Sequence, residues 1–356
     1  MPHLLDPITI KSVRLRNRIG VAPMCQYSAV DGVMNDWHKV HLGSFAVGGA
    51  GVIIAEATAV SAEGRITPGC AGIWDDKHIE PMQAITRFIK AQGGVAGIQL
   101  AHAGRKGSAA VPQQGGAHLS STQGGWDTFA PSAVAFGGDL NKVPTALSLS
   151  EIKRIQNDFV SAAKRTLEAG FNYVELHAAH GYLAHQFLSP LSNTRTDQYG
   201  GSFENRIRFL METVHAVRNV WPDNLPFTVR LSCTDWTEGG WNIDECALLA
   251  QQLKAAGVDL IDASTGGNLG TAKIPVAPGF QVPFAERLKK DSGILVAAVG
   301  MITQPAQAEE IIANGRADLV LLAREMLRNP RWPQYAAKAL GRATDLPPPI
   351  QYARAF

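Results

Sequence analysis

The chain has 356 residues, 46% of them hydrophobic and 18% charged, which is enough apolar side chain for a substantial core and rules out a mini-protein scaffold or a disordered chain. Lys plus Arg number 33 against 31 Asp plus Glu, with no basic block, so a surface built for nucleic acid or an anionic membrane is not expected, and a small-molecule ligand is. Cys25, Cys70, Cys233 and Cys246 form no C-x-x-C pair, no run reaches the ~18 apolar residues of a membrane span, and Asp6 and Pro7 interrupt any signal core; the expectation is a cytoplasmic protein with no disulfide framework, iron–sulfur cluster or zinc knuckle.

Along the chain, short β-branched runs bounded by turn residues alternate with amphipathic stretches. Ile19–Ala22 precedes a helix over His38–Val47, Gly51–Ala55 one over His78–Ala91, and Val95–Leu100 one over Ser150–Ala169. Tyr173–His177 precedes Phe203–Val220, Phe227–Leu231 precedes Asp244–Ala255, and Leu260–Ala263 precedes Phe280–Lys290. Leu295–Val299 and Leu319–Leu322 are followed by Pro305–Ala313 and Arg331–Leu340. Ser150 with Glu151 opens one helix that Gly170 closes, and Asn242 to Glu245 opens another that Gly257 closes. Eight such units predict an α/β fold, a single-domain (β/α)8 TIM barrel over residues 1–345. Two long connections, His102 to Leu149 and Ala178 to Ser202, follow strand C-termini and are expected to roof the site. Leu346–Phe356 reads as an extended C-terminal tail, unusually equipped with Tyr352, Arg354 and Phe356.

Functional side chains of a barrel gather where its strands end, and here that set is short of carboxylates and rich in neutral donors. No lysine stands at a strand end, which argues against a Schiff-base aldolase or a pyridoxal-phosphate enzyme. His177 and His180, in H-A-A-H-G-Y, admit three readings: metal ligands with Glu175 as the third, structural histidines, or donors to a polar substrate atom. Tyr182 is either a proton donor or a ring that packs and wets its hydroxyl. Arg230, inside the apolar strand F-T-V-R-L-S, must meet an anion: a structural ion pair, or a cofactor or substrate that becomes negative. Gly300 and Arg324, at the seventh and eighth strand ends, suit a phosphate. With Gln99 and Arg230 on a polar ring edge they point to FMN, whose anionic reduced form Arg230 would stabilise. Cys25 is a buried small hydrophobe or a ring contact; Cys70, Cys233 and Cys246 offer no such context, and Trp37, Trp74, Trp126 and Trp236 read as core or loop packing.

Seven motifs in order, L-R-N-R-I (Leu15–Ile19), A-P-M-C-Q-Y (Ala22–Tyr27), E-A-T-A-V (Glu56–Val60), G-R-I-T-P-G-C (Gly64–Cys70), Q-L-A-H-A-G-R (Gln99–Arg105), E-L-H-A-A-H-G-Y-L (Glu175–Leu183) and Y-G-G-S-F-E-N-R (Tyr199–Arg206), make the whole chain similar to the old yellow enzyme family, FMN-dependent ene-reductases, in the bacterial branch of xenobiotic reductases and thermophilic-like members. The resemblance implies that Ala22, Pro23, Met24 and Cys25 form the first flavin segment, with Cys25 a redox modulator. It implies ring contacts at Ala57, Gln99 and Arg230, and a phosphate and ribityl site at Gly300, Met301, Ala323 and Arg324. His177 and His180 would bind a carbonyl or nitro oxygen, Tyr182 would donate the proton, Tyr27 would be a substrate-side lid, and Arg354 would reach into a neighbouring subunit of a homodimer or homotetramer. Ala323 departs from the family's usual Gly, and Ala22 occupies a position that can carry a hydroxyl. The implied reaction is reduction of the C=C bond of α,β-unsaturated carbonyl or nitro compounds, with NADPH or NADH as reductant and hydride leaving flavin N5. Two rival readings are a metal-dependent barrel hydrolase built on His177 and His180, and a flavin-binding protein without catalysis.

Overall fold

The computed structural model describes residues 1–355, so Phe356 of the tail lies outside the described residues. Eight parallel strands close into a barrel: β1 Ile19–Val21, β2 Val52–Ala59, β3 Val95–Ala101, β4 Tyr173–Ala178, β5 Phe227–Ser232, β6 Leu260–Ser264, β7 Leu295–Val299 and β8 Leu319–Leu322. Val320 pairs with Ile19, which joins the last strand to the first. The main helices between and after them are α1 Asp36–Val47, α2 Ile79–Ala91, α3 Leu149–Glu168, α4 Phe203–Arg218, α5 Ile243–Ala255, α6 Val282–Ser292, α7 Pro305–Ala313 and α8 Trp332–Ala339. The TIM barrel expected from the alternation of runs is therefore the fold.

Side-chain alternation divides each strand between two environments. Ile53 and Ala55 of β2 face the helical ring with Ile85 and Ile89 of α2, while Val52 and Ile54 belong to an inner cluster with Val95, Tyr173, Leu260, Leu319 and Leu321. An antiparallel pair before the barrel, Ile8–Ile10 with Val13–Leu15, adds Ile10, Val13 and Leu15 to that inner cluster and plugs the N-terminal end. One face of the barrel is thus sealed with hydrocarbon, and the C-terminal face is left for chemistry.

The structure corrects several boundaries. Ser148, not Ser150, caps α3: its hydroxyl accepts from the Glu151 amide while the Glu151 carboxylate accepts from the Ser148 amide at 2.7 Å. Strand β2 runs through Glu56 and Ala57, with a register shift against β3 between Ala55 and Ala57. The connection after β4 contains a short helix, Leu183–Leu188. The tail is not simply extended, because Ile350–Ala355 forms a 3₁₀ turn whose Tyr352 lies 4.4 Å from the Arg331 guanidinium. Trp37 is exposed rather than packed, whereas Trp221, Trp241 and Trp332 are the tryptophans of the core.

Candidate active site

The segment after β1 is held from both sides. The Ala22 amide donates to the Leu322 carbonyl at 2.9 Å, and the Gln26 amide to Glu56 Oε2 at 3.1 Å. Glu56 is buried against His38 of α1, Nε2 to Oε1 3.4 Å, so a histidine–carboxylate contact stands behind the segment that carries Pro23, Met24 and Cys25 at the barrel mouth. Tyr27 takes a left-handed backbone, φ +54°, tolerated because Gly69 brings no side chain: a Cβ there would stand 2.5 Å from the Tyr27 carbonyl oxygen. That close approach delivers Cys70 to Cys25. The Cys25 thiol is pushed up by hydrogen bonding with Cys70 and by burial, so it is a neutral thiol, while Cys70 Sγ accepts from the Thr67 amide at 3.3 Å. The reading of Cys70 as a residue without context is corrected.

Above the apolar plug the barrel interior turns polar. Register places Gln99 beside Ala57 and Glu175, and Arg230 between His177 and Asp262. Gln99 Nε2 donates to Glu175 Oε1 at 2.8 Å, and Arg230 Nε meets Asp262 Oδ2 at 2.8 Å. Two buried carboxylates therefore lie in the field of one guanidinium, which pairs directly with Asp262. Burial pushes Glu175 up to about 8, helped by Asp262 and opposed by Arg230 and Gln99; burial likewise raises Asp262 to about 6. The ion-pair reading of Arg230 holds at its Nε. Glu175 turns to Gln99 and not to the histidines, and among the described residues no three His, Cys, Asp or Glu side chains are arranged to hold a metal ion.

His177 ends β4 on the same inner face, and its Nδ1 accepts from the Ala179 amide at 3.3 Å. That bond assigns the ring proton to Nε2, which is left as a donor. His180 stands on a left-handed backbone, φ +56°, with Nε2 against Ser264 Oγ at 2.7 Å, so its outer nitrogen is already engaged. Tyr182 is half-buried with its ring 4.9 Å from that of His177, and the two histidine rings lie 5.2 Å apart. Burial, followed by the Arg230 charge, holds both imidazoles well below their ordinary range, and burial raises the Tyr182 phenol. At neutral pH the cluster is two uncharged imidazoles and a protonated phenol.

Between the ends of β7 and β8 opens a cleft of about 290 Å³ lined by Gly300, Met301, Ala323, Arg324 and Arg328 among others. Gly300 has φ +117°, and a Cβ there would stand 2.6 Å from Gln281 Nε2, so only glycine leaves this backbone clear. Arg328 is paired with Glu325 at 2.6 Å, whereas Arg324 is exposed and makes no ion pair among the described residues.

A family model described as the NADH:flavin oxidoreductase / NADH oxidase family matches residues 3–342. The chain belongs to that family, the old yellow enzymes. It is 48% identical over 355 residues to an NADPH dehydrogenase of Bacillus velezensis, covering 99% of each chain. Morphinone reductase in complex with tetrahydroNAD superposes with a TM-score of 0.80 at 29% identity, over 99% of this chain and 94% of that one. An old yellow enzyme homologue from Zymomonas mobilis gives 0.80 at 29% identity, over 95% and 93%. This old yellow enzyme is thus an oxidoreductase that works with FMN and a nicotinamide nucleotide.

The old yellow enzyme's sequence exposes most of the mouth but not what lies behind it. The structure brings together Cys25, Tyr27, His177, His180 and Tyr182 as one cluster, with Gln99 and Arg230 beneath, and Gly300 with Arg324 to one side. Arg354 lies apart, exposed on the 3₁₀ turn of the tail. Sequence reasoning missed Asp262 and Lys106, and dismissed Cys70. Asp262 carried a signal, being a charged residue inside the apolar strand L-I-D-A-S just as Arg230 is inside its own.

Proposed function

We propose that this old yellow enzyme is an ene-reductase for α,β-unsaturated carbonyl or nitro compounds, with NADPH or NADH as the reductant. The observation that carries this reading is the His177 Nε2–H donor standing beside the protonated Tyr182 phenol. A carbonyl or nitro oxygen accepts from His177, and with a swing of its ring away from Ser264 from His180 as well, which withdraws electrons from the conjugated alkene. Tyr182 then delivers a proton to the α-carbon.

The residues fit FMN as the resident group, on this chain's own geometry. Gly300, Met301, Ala323 and Arg324 would hold its phosphate and ribityl chain, where a bare glycine backbone and an unpaired arginine meet. Ala22, Pro23, Met24, Cys25 and Ala57 would line the ring, with Gln99 and the outer nitrogens of Arg230 on its polar edge. When bound, FMN supplies the hydride chemistry that links the nicotinamide to the alkene. Ala323 adds a methyl to the phosphate cleft, where it would crowd one backbone contact without abolishing FMN binding.

Assembly enters through the tail. An exposed groove beside α1, lined by Val40, Gly43, Val47, Phe88 and Tyr352, and the neighbouring exposed Trp37 make a surface that a second subunit would cover. In a homodimer or homotetramer, Arg354 would complete the neighbour's substrate pocket, making residues 346–356 an intersubunit arm on a 1–345 barrel. Among the described residues no helix is long and apolar enough to cross a membrane, and the four free cysteines are compatible with the reducing, cytoplasmic place we propose.

The test is His177→Ala. Loss of one preorganised donor costs about 2.7–4 kcal/mol in the transition state, so alkene reduction should slow by about two to three orders of magnitude. A variant that binds phenols and reduces cyclohexenone as the parent does would sink the assignment.

A further inference from the structure

We propose that Lys106 is a positioning residue that fixes the turn carrying His180 and Tyr182; the inference rests on the ene-reductase reading of those two side chains. Lys106 lies in the 3₁₀ turn Gly104–Lys106 after β3, in sequence well away from the residues it serves. Its Nζ donates to the His180 carbonyl at 2.9 Å and to the Gly267 carbonyl at 3.0 Å, and it stands 5.0 Å from the Tyr182 ring and 4.6 Å from that of Phe136. No carboxylate pairs with it among the described residues, so its contacts are two carbonyl dipoles and two aromatic faces.

The carbonyls it gathers belong to two backbone turns that need restraint. His180 has φ +56° and Gly181 +71°, while Gly266 and Gly267 have +68° and +87°. These turns press directly on each other: a Cβ on Gly267 would stand 2.7 Å from the His180 Cα, and one on Gly181 would stand 2.2 Å from the Gly267 oxygen. A non-glycine residue in the left-handed region is strained and persists only where its surroundings hold it. His180 receives two holds: its amide donates to Ser232 Oγ at 2.9 Å, and its carbonyl is taken by Lys106. With the carbonyl fixed, the imidazole reaches Ser264 and the next side chain, Tyr182, turns toward His177. Arg105 anchors the lysine's own turn by donating to the Asn268 carbonyl at 2.6 Å, which ties the connection after β3 to the one after β6. One ammonium therefore couples three connections at the rim.

The experiment compares K106M and K106R with the parent, each purified with its flavin. Amide hydrogen exchange is followed by mass spectrometry over residues 178–186, without substrate, and cyclohexenone kinetics are run in parallel. K106M is expected to exchange about tenfold or more faster in that segment, and to show a KM for enone raised about tenfold while the saturating rate of flavin reduction by NADPH changes far less. K106R, which keeps the charge and the donors, should restore both. If K106M does not fold, K106Q, which keeps an N–H donor without the charge, should fall between the parent and total loss. Exchange and KM equal to the parent's in K106M or K106Q overturn the proposal. Because exchange is read without substrate, a parent that reduces no enone yet shows lysine-dependent exchange would sink the ene-reductase reading and leave the positioning role standing.

Discussion

At the level of single residues, the pair Glu175 and Asp262 sets the electrostatics under the site. One guanidinium cannot neutralise two buried carboxylates, and Glu175 is the one held protonated, pushed up to about 8 mainly by burial. An unfolded glutamate titrates near about 4.3, so between there and about 8 the folded chain binds the proton more tightly than the unfolded one. The contribution of this group to stability is thus full below about 4.3 and declines as the pH rises toward about 8. Glu175→Gln, which keeps an acceptor for Gln99, should flatten the fall in stability between pH 5 and pH 8 when parent and variant are unfolded by denaturant across that range. Identical slopes would mean that Glu175 is ionised in the folded protein. His177 and Tyr182 could be singled out by motif because their chemistry is written in residue type. Lys106 and Cys70 could not, since what matters about them is which backbone or thiol they meet across the fold, and spacing carries no record of that.

At the level of elements, the barrel was legible because each strand is buried on both faces, is built mainly of aliphatic residues and must stop at a turn, which leaves a short, largely apolar run next to a glycine, asparagine or proline. The helix after β3 was displaced at its start because Ser148 and Ser150 both precede a plausible first turn; only the reciprocal bond with Glu151 distinguishes them. The antiparallel pair Ile8–Ile10 and Val13–Leu15 is too short to show a period, and its role as a plug exists only once the barrel has closed. Packing between elements leaves little slack at Gly48, where α1 ends: a Cβ would stand 1.9 Å from the Pro330 carbonyl oxygen. Its φ of −72° suits any residue, so the cost of Gly48→Ala is purely one of space. The variant should lose about 1–3 kcal/mol in urea unfolding, through separation of α1 from the segment that leads into α8. A variant as stable as the parent would show that Pro330 can retreat.

At the level of the whole molecule, a sealed barrel base, a polar layer and a mouth of neutral donors stand on one chain, and the tail is proposed to serve a second subunit. Arg354→Ala should leave folding and assembly unchanged and raise the KM for enone, as measured by sedimentation and steady-state kinetics together. A protein that sediments as a monomer, with enone kinetics indifferent to Arg354, would confine the site to one chain. The central claim is that this mouth transfers electrons from a nicotinamide to an activated alkene through FMN. The most direct measurement is an anaerobic visible spectrum of the purified protein, then after NADPH, then after cyclohexenone. The account predicts a flavin spectrum that bleaches with NADPH and returns with the enone. A flavin that bleaches and stays bleached in the presence of enone would contradict it.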